Sequence, residues 1–86
     1  MYYTNVLLSE SDKKYYVGFT NTLERRLSEH NKGMVPSTAK RRPLFLIYYE
    51  ACLNKADALK REKYFKSGFN RRFLNGRLGN YLYENS

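Results

Sequence analysis

The chain has 86 residues, with 16 Lys and Arg against 8 Asp and Glu, and a formal charge of +8 at pH 7. A chain this short buries only about 60 to 65% of its unfolded surface, which allows one domain over residues 1–86 with a single modest core and excludes an enzyme built on a separate cofactor domain. With 42% hydrophobic residues and nine tyrosines it is too apolar for a disordered basic tail, so it is expected to fold alone.

Residues 2–8 and 14–20 are β-rich runs separated by the polar stretch 9–13, which predicts a hairpin. The first residues lack the charged start and apolar stretch of a signal peptide. Side chains alternate along the second run, so Tyr16 and Gly18 share one face while Tyr15, Val17 and Phe19 share the other. A glycine inside a strand removes a side chain where another group must approach the backbone, and Tyr16 then borders a space open to a ligand. For most of the tyrosines, packing or base stacking is the ordinary reading.

Asn21-Thr22-Leu23-Glu24 supplies an N-cap followed by an acid, and Gly33 stands where a helix should stop, which predicts a helix over residues 22–31. At 100° per residue Leu23 and Leu27 lie on one stripe together with Arg26 and His30, and Arg25 points to solvent. Residues 31–43 hold Gly33, Pro36, Pro43, a Ser-Thr pair and the basic cluster Lys40-Arg41-Arg42, without periodicity; this is a loop long enough to be functional.

Residues 44–52 are apolar on both faces, which suits a strand covered on both sides. The longest wholly apolar or aromatic run, 44–49, is far below the ~18 residues of a membrane span, so no membrane partner is expected. Cys52 is the only cysteine, which excludes an internal disulfide and a cysteine-rich zinc site; a reducing, cytoplasmic setting is the default. Residues 54–57 repeat the capping pattern and open a second helix that runs to about Ser67, before Gly68, and a third helix spans about residues 70–78. The order strand, strand, helix, strand, helix, helix reads as a small α+β layer.

Between residues 60 and 77 stand Lys60, Arg61, Lys63, Lys66, Arg71, Arg72 and Arg77 with a single acid, Glu62. Phosphate backbones are the commonest partner of such clusters, because each Lys or Arg set on a phosphate releases a condensed counterion; the alternative is a solvated basic surface. Ala58, Leu59 and Phe65 define the apolar stripe of the second helix, and Glu62 falls near its centre. A carboxylate against a core is costly unless paired or bound to a cation. Two readings follow. Glu62 forms a structural ion pair with Arg26, or both open into a cleft where Arg26 holds a phosphate by its planar donor fork and Glu62 holds it through a metal ion. His30, one turn beyond Arg26, adds a donor or proton shuttle in the second reading, although a lone helical histidine is more often a surface residue.

With Tyr16-Val17-Gly18 ahead of Leu23-Glu24-Arg25-Arg26-Leu27 and a later Ala58-Leu59-Lys60-Arg61-Glu62, the chain resembles the GIY-YIG nuclease family. The resemblance runs from Tyr3 to about Phe69. It is strongest to the small single-domain branch related to the N-terminal incision domain of the nucleotide-excision-repair excinuclease, in which Arg41-Arg42-Pro43-Leu44 leading into Tyr48-Tyr49-Glu50 is also typical. The resemblance implies a three-stranded antiparallel sheet flanked by about three helices, a phosphodiesterase site, and one divalent metal ion, Mg²⁺ or Mn²⁺, held by Glu62. By position Tyr16 matches the tyrosine of the second half-motif, Arg26 the family arginine, and His30 a histidine found in some members.

The first half-motif departs from the pattern, because Asn5 occupies the place of its tyrosine. An amide can position water or phosphate but cannot serve as general base. Phe19 stands where excision-repair members tend to have a lysine, so that base is missing as well. The expected function is a metal-dependent DNA endonuclease of repair or recombination: water deprotonated with help from Tyr16 attacks the phosphate, Arg26 stabilises its oxygens, and Glu62 holds the ion. Lys40, Arg41, Arg42, Lys60, Lys63, Lys66, Arg71 and Arg72 are the expected contacts to the backbone of branched, flapped or single-stranded DNA. The alternatives are a DNA-binding module that has lost the chemistry through Asn5, and a domain active only beside repair or mobile-element proteins.

Overall fold

A computed structural model describes residues 1–84. Three strands, β1 (Tyr2–Ser9), β2 (Tyr15–Thr20) and β3 (Leu44–Cys52), form one antiparallel sheet in the order β2-β1-β3. Around it lie α1 (Leu23–Asn31), α2 (Lys55–Tyr64), α3 (Asn70–Arg77) and α4 (Gly79–Glu84). The expected α+β architecture is therefore present, with a fourth helix where about three were expected. Among the described residues no helix is long and apolar enough to cross a membrane.

The predicted hairpin forms, with Asn5 opposite Gly18 and Leu7 opposite Tyr16. The third strand has the predicted limits but not the predicted surroundings. The strand covered on both sides is β1, whose Thr4, Asn5, Val6 and Leu7 are all buried, whereas β3 is an edge strand with Phe45 and Tyr49 exposed. A run of bulky side chains does not reveal whether its strand lies in the middle of a sheet, and tyrosines tolerate the half-wet edge because their hydroxyls stay solvated.

Helix α1 starts one residue later than expected, and the Thr22 hydroxyl does not cap it; that hydroxyl donates to Asn21 Oδ1 instead. Its C-terminus closes as the sequence suggests. Gly33, at φ +76°, donates to His30 O and Met34 donates to Glu29 O, the two bonds of a Schellman motif, which needs a residue at positive φ just past the helix. Asn31 then ties the helix to β3, its Nδ2 donating to Leu44 O and its Oδ1 accepting from Leu44 N. The Asn54 side chain caps α2 by accepting from Ala56 N at 2.8 Å. This helix leaves α-geometry at Tyr64, earlier than expected, and a wide turn over Phe65–Phe69, with Gly68 at φ +100°, redirects the chain into α3.

The core gathers Val6, Leu7, Leu44, Ala58, Phe65 and Leu74. Thr4 Oγ1 donates to Ala58 O at 2.8 Å and fastens α2 to the central strand. Tyr48, Phe65 and Phe73 meet edge to face, and the Arg61 guanidinium lies 4.7 Å from the Phe65 ring centre while chelating Glu50 at 2.7 and 3.0 Å. Arg61 thus serves the fold, although it stands inside the basic run.

Candidate active site

One pocket of about 280 Å³ lies over β1 and β2, lined among others by Asn5, Tyr16, Gly18, Arg26, His30, Thr38, Glu62 and Lys66. Every element near it contributes for a local reason. The period of two in the hairpin puts Asn5, Gly18 and Tyr16 on one face. Gly18 leaves the space that Asn5 occupies, since a Cβ there would stand 3.3 Å from Asn5 Oδ1. Arg26 and His30 rise one helical turn apart on α1. Leu59 and Glu62 on α2 and Lys66 in the wide turn that follows line the pocket, while Ala58 and Phe65 are buried in the core.

The wheels separate Arg25, which is exposed, from Arg26, which is half-buried. They misplace Leu59, which belongs to the pocket wall and is 40% exposed rather than core. His30, set by the wheel on the packed stripe, is only 6% exposed and is not the surface residue that a lone helical histidine more often is. The ion pair between Glu62 and Arg26 is not formed. Arg26 Nη1 reaches Glu29 Oε1 at 3.4 Å within α1, and Glu62 Oε2 on α2 meets Lys66 Nζ in the following turn at 3.2 Å, because neighbours three or four residues apart meet with little loss of side-chain freedom.

Among the described residues, two buried donors have no hydrogen-bond partner, Asn5 Nδ2 and Arg26 Nε, and both belong to residues that line this pocket. Asn5 itself is 2% exposed. A buried donor left without an acceptor costs about 1 to 3 kcal/mol.

Tyr16 faces the opposite way electrically. Its hydroxyl donates to Asp12 Oδ2 at 2.7 Å, and that bond, with burial, raises its pKa above the ordinary phenol value. Asp12 is lowered by the same bond and by the Lys14 backbone N–H, against the opposing effect of burial. Arg41 Nε stands 3.3 Å from the same Asp12 oxygen. His30 Nδ1 shares a 2.7 Å bond with Thr38 Oγ1, which fixes the ring plane; burial first, then the nearby Arg26 charge, lowers the His30 pKa and keeps the ring neutral.

Among the described residues Glu62 is the only side-chain carboxylate lining the pocket, and its side chain is 21% exposed. Among the described residues no group of three or more His, Cys, Asp or Glu side chains gathers to hold a metal ion. Magnesium and manganese suit such a place, since a hard divalent ion takes one or two carboxylates and completes its shell with water and phosphate oxygens. The donor set therefore fits one such ion at Glu62. Lys40, Arg42, Lys60, Lys63, Arg71 and Arg72 are exposed, Arg41 is engaged with Asp12, and Lys66 with Glu62.

Sequence reasoning overlooked Asp12 and Thr38. Asp12 had a signal, being an acid four residues before Tyr16 in a turn so short that the chain folds it back beside the second strand. Thr38 had none, because it lies in an aperiodic loop; it is 1% exposed and bonded to His30.

Residues 1–81 match the GIY-YIG catalytic domain. The UPF0213 protein of Lactiplantibacillus plantarum is 47% identical over 68 residues, covering 76% of this chain and 66% of the relative. That of Lacticaseibacillus paracasei is 42% identical, covering 76% and 73%, and UPF0213 protein CPE1444 of Clostridium perfringens is 41% identical, covering 70% and 66%. The chain thus spans about two thirds of the length of these curated relatives, whose names state no activity. No solved structure matches. The chain belongs to the GIY-YIG family, and its domain is of the nuclease type.

Proposed function

We propose that this GIY-YIG chain is a DNA endonuclease that hydrolyses phosphodiester bonds in the pocket over β1 and β2. The observation that carries the reading is the pair of unpartnered buried donors, Asn5 Nδ2 and Arg26 Nε, in a pocket with a single carboxylate. Donors fixed on a central strand and a helix suit the non-bridging oxygens of a phosphate, whose charge grows as water attacks. Tyr16 has spent its one proton on Asp12 and meets the pocket as an acceptor, which orients the attacking water through that water's own hydrogen. His30, neutral and held by Thr38, stands beside Arg26 as a further polar wall of the site. Glu62 would hold the divalent ion, Mg²⁺ or Mn²⁺, whose charge supports the leaving oxygen when it is bound.

The exposed cations of the 31–43 loop and of α2 and α3 supply the backbone contacts: Lys40, Arg41, Arg42, Lys60, Lys63, Lys66, Arg71 and Arg72. The cytoplasm is the compartment that goes with this reading, repair or recombination its setting, and residues 1–86 one domain. A second reading, a DNA-binding module without chemistry, draws on Asn5 in the place of the half-motif tyrosine and on the protonated, engaged Tyr16.

A cleavage panel of branched, flapped and single-stranded DNA with Mg²⁺ or Mn²⁺ separates the two. The endonuclease reading expects cutting that Glu62→Ala abolishes while DNA affinity, measured without metal, stays within about twofold. Intact DNA throughout, with cutting restored by Asn5→Tyr, establishes the binding module instead.

A further inference from the structure

We infer that Asp12, in the β1–β2 turn, is a positioning residue that fixes the Tyr16 hydroxyl as an acceptor toward the pocket. The inference rests on the pocket being the reaction site, and its physical basis is the rotor of a phenol. A tyrosine O–H prefers the ring plane and so has two orientations; one carries its proton to a partner at the ring's edge, and the other exposes it to whatever lies opposite. The Asp12 carboxylate, 2.7 Å away, selects the first. The remaining lone pair of the phenol is then what Tyr16 offers to the cavity it lines.

A negative partner behind the hydroxyl does a second thing. Hydrogen bonds in a chain polarise one another, so a phenol donating to a carboxylate carries more electron density on its oxygen and is a better acceptor for a water on the other side. In this chain Asn5 and Phe19 supply no ionisable group that could do the same.

Asp12 is itself held in place rather than merely near. Its Oδ1 accepts from Lys14 N at 2.9 Å, its own N–H reaches Ser9 Oγ at 3.2 Å, and Arg41 Nε stands 3.3 Å from Oδ2. The Ser9 hydroxyl in turn donates to Arg41 O at 2.6 Å, so the hairpin turn and the 31–43 loop close on each other around this carboxylate. The rise of the Tyr16 pKa agrees with the direction of the bond. Arg26, His30, Glu62 and Lys66 are the other ionisable groups lining the same pocket.

The test has an arm that does not depend on cutting. Protein labelled with ¹³C at the tyrosine ζ carbons is titrated by NMR, with Tyr16 assigned by Tyr16→Phe, for the wild type, Asp12→Asn and Asp12→Ala. The Tyr16 midpoint should fall toward the ordinary 10.0 in both variants, with backbone amide spectra confirming the fold. In the second arm, single-turnover cleavage of flapped DNA with Mn²⁺ should slow by about 10- to 100-fold in Asp12→Ala, with DNA affinity within about twofold and partial recovery in Asp12→Asn, which keeps an oxygen acceptor. A Tyr16 midpoint that is the same in all three proteins overturns the inference, as does an Asp12→Ala protein that cuts at the wild-type rate. If the wild type cuts nothing, the endonuclease reading has failed, and the Tyr16 resonance still decides what Asp12 does.

Discussion

Gly18→Ala is the smallest perturbation that separates the site from the fold. An added Cβ would stand 3.3 Å from Asn5 Oδ1, 3.6 Å from Nδ2 and 3.8 Å from Cγ, so the amide must give way by a few tenths of an ångström. Two effects on stability oppose each other. Replacing glycine inside a strand gains about 0.5 to 1 kcal/mol by restricting the unfolded chain, and the tight contact costs about 1 kcal/mol. The net change is therefore within about 1 kcal/mol, or a melting shift of no more than roughly 8 °C for a domain of this size. Catalysis has no such compensation. Misplacing a reacting group by 1 Å costs about a hundredfold, so a displacement of a few tenths at Asn5 Nδ2 should slow single-turnover cleavage by about tenfold. Thermal melts by circular dichroism, DNA affinity by fluorescence anisotropy without metal, and cleavage of flapped DNA with Mn²⁺ measure the three quantities. The double variant Gly18→Ala with Asn5→Ala should cut no more slowly than Asn5→Ala alone, because both act on one group. Wild-type cleavage by Gly18→Ala refutes the reasoning, and so does a double variant whose losses multiply.

Arg61→Met should lower stability by about 2 to 3 kcal/mol, a melting loss of roughly 10 to 20 °C, because it removes a bidentate charged pair and the guanidinium's contacts with three rings and leaves Glu50 half-buried without its cation. Its DNA affinity should stay within about twofold of wild type, whereas Lys63→Met should weaken DNA binding with the melting temperature unmoved; anisotropy and melts on both variants check the pair. Urea unfolding against pH should show a plateau from about pH 7 to about pH 9 with a decline on each side. The folded pKa of His30 lies below 6.5 through burial and the Arg26 charge, so its contribution is complete above 6.5 and is lost as pH falls through the folded value; His30→Gln should remove that first step. Glu50 gives a second acid step below 4.5, since burial raises its pKa but the Arg61 and Tyr48 hydrogen bonds outweigh it. Tyr48, raised above 10.0 by burial and by its bond to Glu50, gives the alkaline step, with stability lost as pH climbs through its folded value.

What could be read in the sequence was what local rules determine. The hairpin, the stop at Gly33, the cap at Asn54 and the exposure of Arg25 beside Arg26 each depend on a few neighbouring residues, and each is present. Sheet order was not legible, so the edge position of β3 was missed: an apolar run fixes that a strand exists, not what lies on either side of it. Partner choice was not legible either. Arg26 and Glu62 point into one pocket yet pair with Glu29 and Lys66, and Tyr16 pairs with Asp12, because these choices are settled by rotamers within one turn rather than by helical phase. Faces and periods single out Tyr16, Gly18, Arg26 and Glu62 each within its own element, and the family resemblance implied that they meet; all four line one cavity.

Asn5 is where the energetics and the proposed chemistry bear most directly on each other. It lies on the central strand, 2% exposed, with Nδ2 unpartnered among the described residues, where an apolar residue such as the neighbouring Val6 would satisfy the core at no such cost. A folded domain of this size holds only about 5 to 15 kcal/mol in reserve, so an orphaned donor costing about 1 to 3 kcal/mol is a substantial part of it. The neighbouring Gly18 makes the room for that amide and gives up strand packing to do so. Two paired positions that each weaken the strand, at residues lining one cavity, make sense if an oxygen completes the bond. On the endonuclease reading that oxygen belongs to phosphate, and the amide then contributes what a phenol in its place could not, a permanent donor that no pH change within the working range can remove. Asn5→Tyr therefore has opposite meanings under the two readings, since it deletes a phosphate donor from a working site or restores a missing group to a silent one.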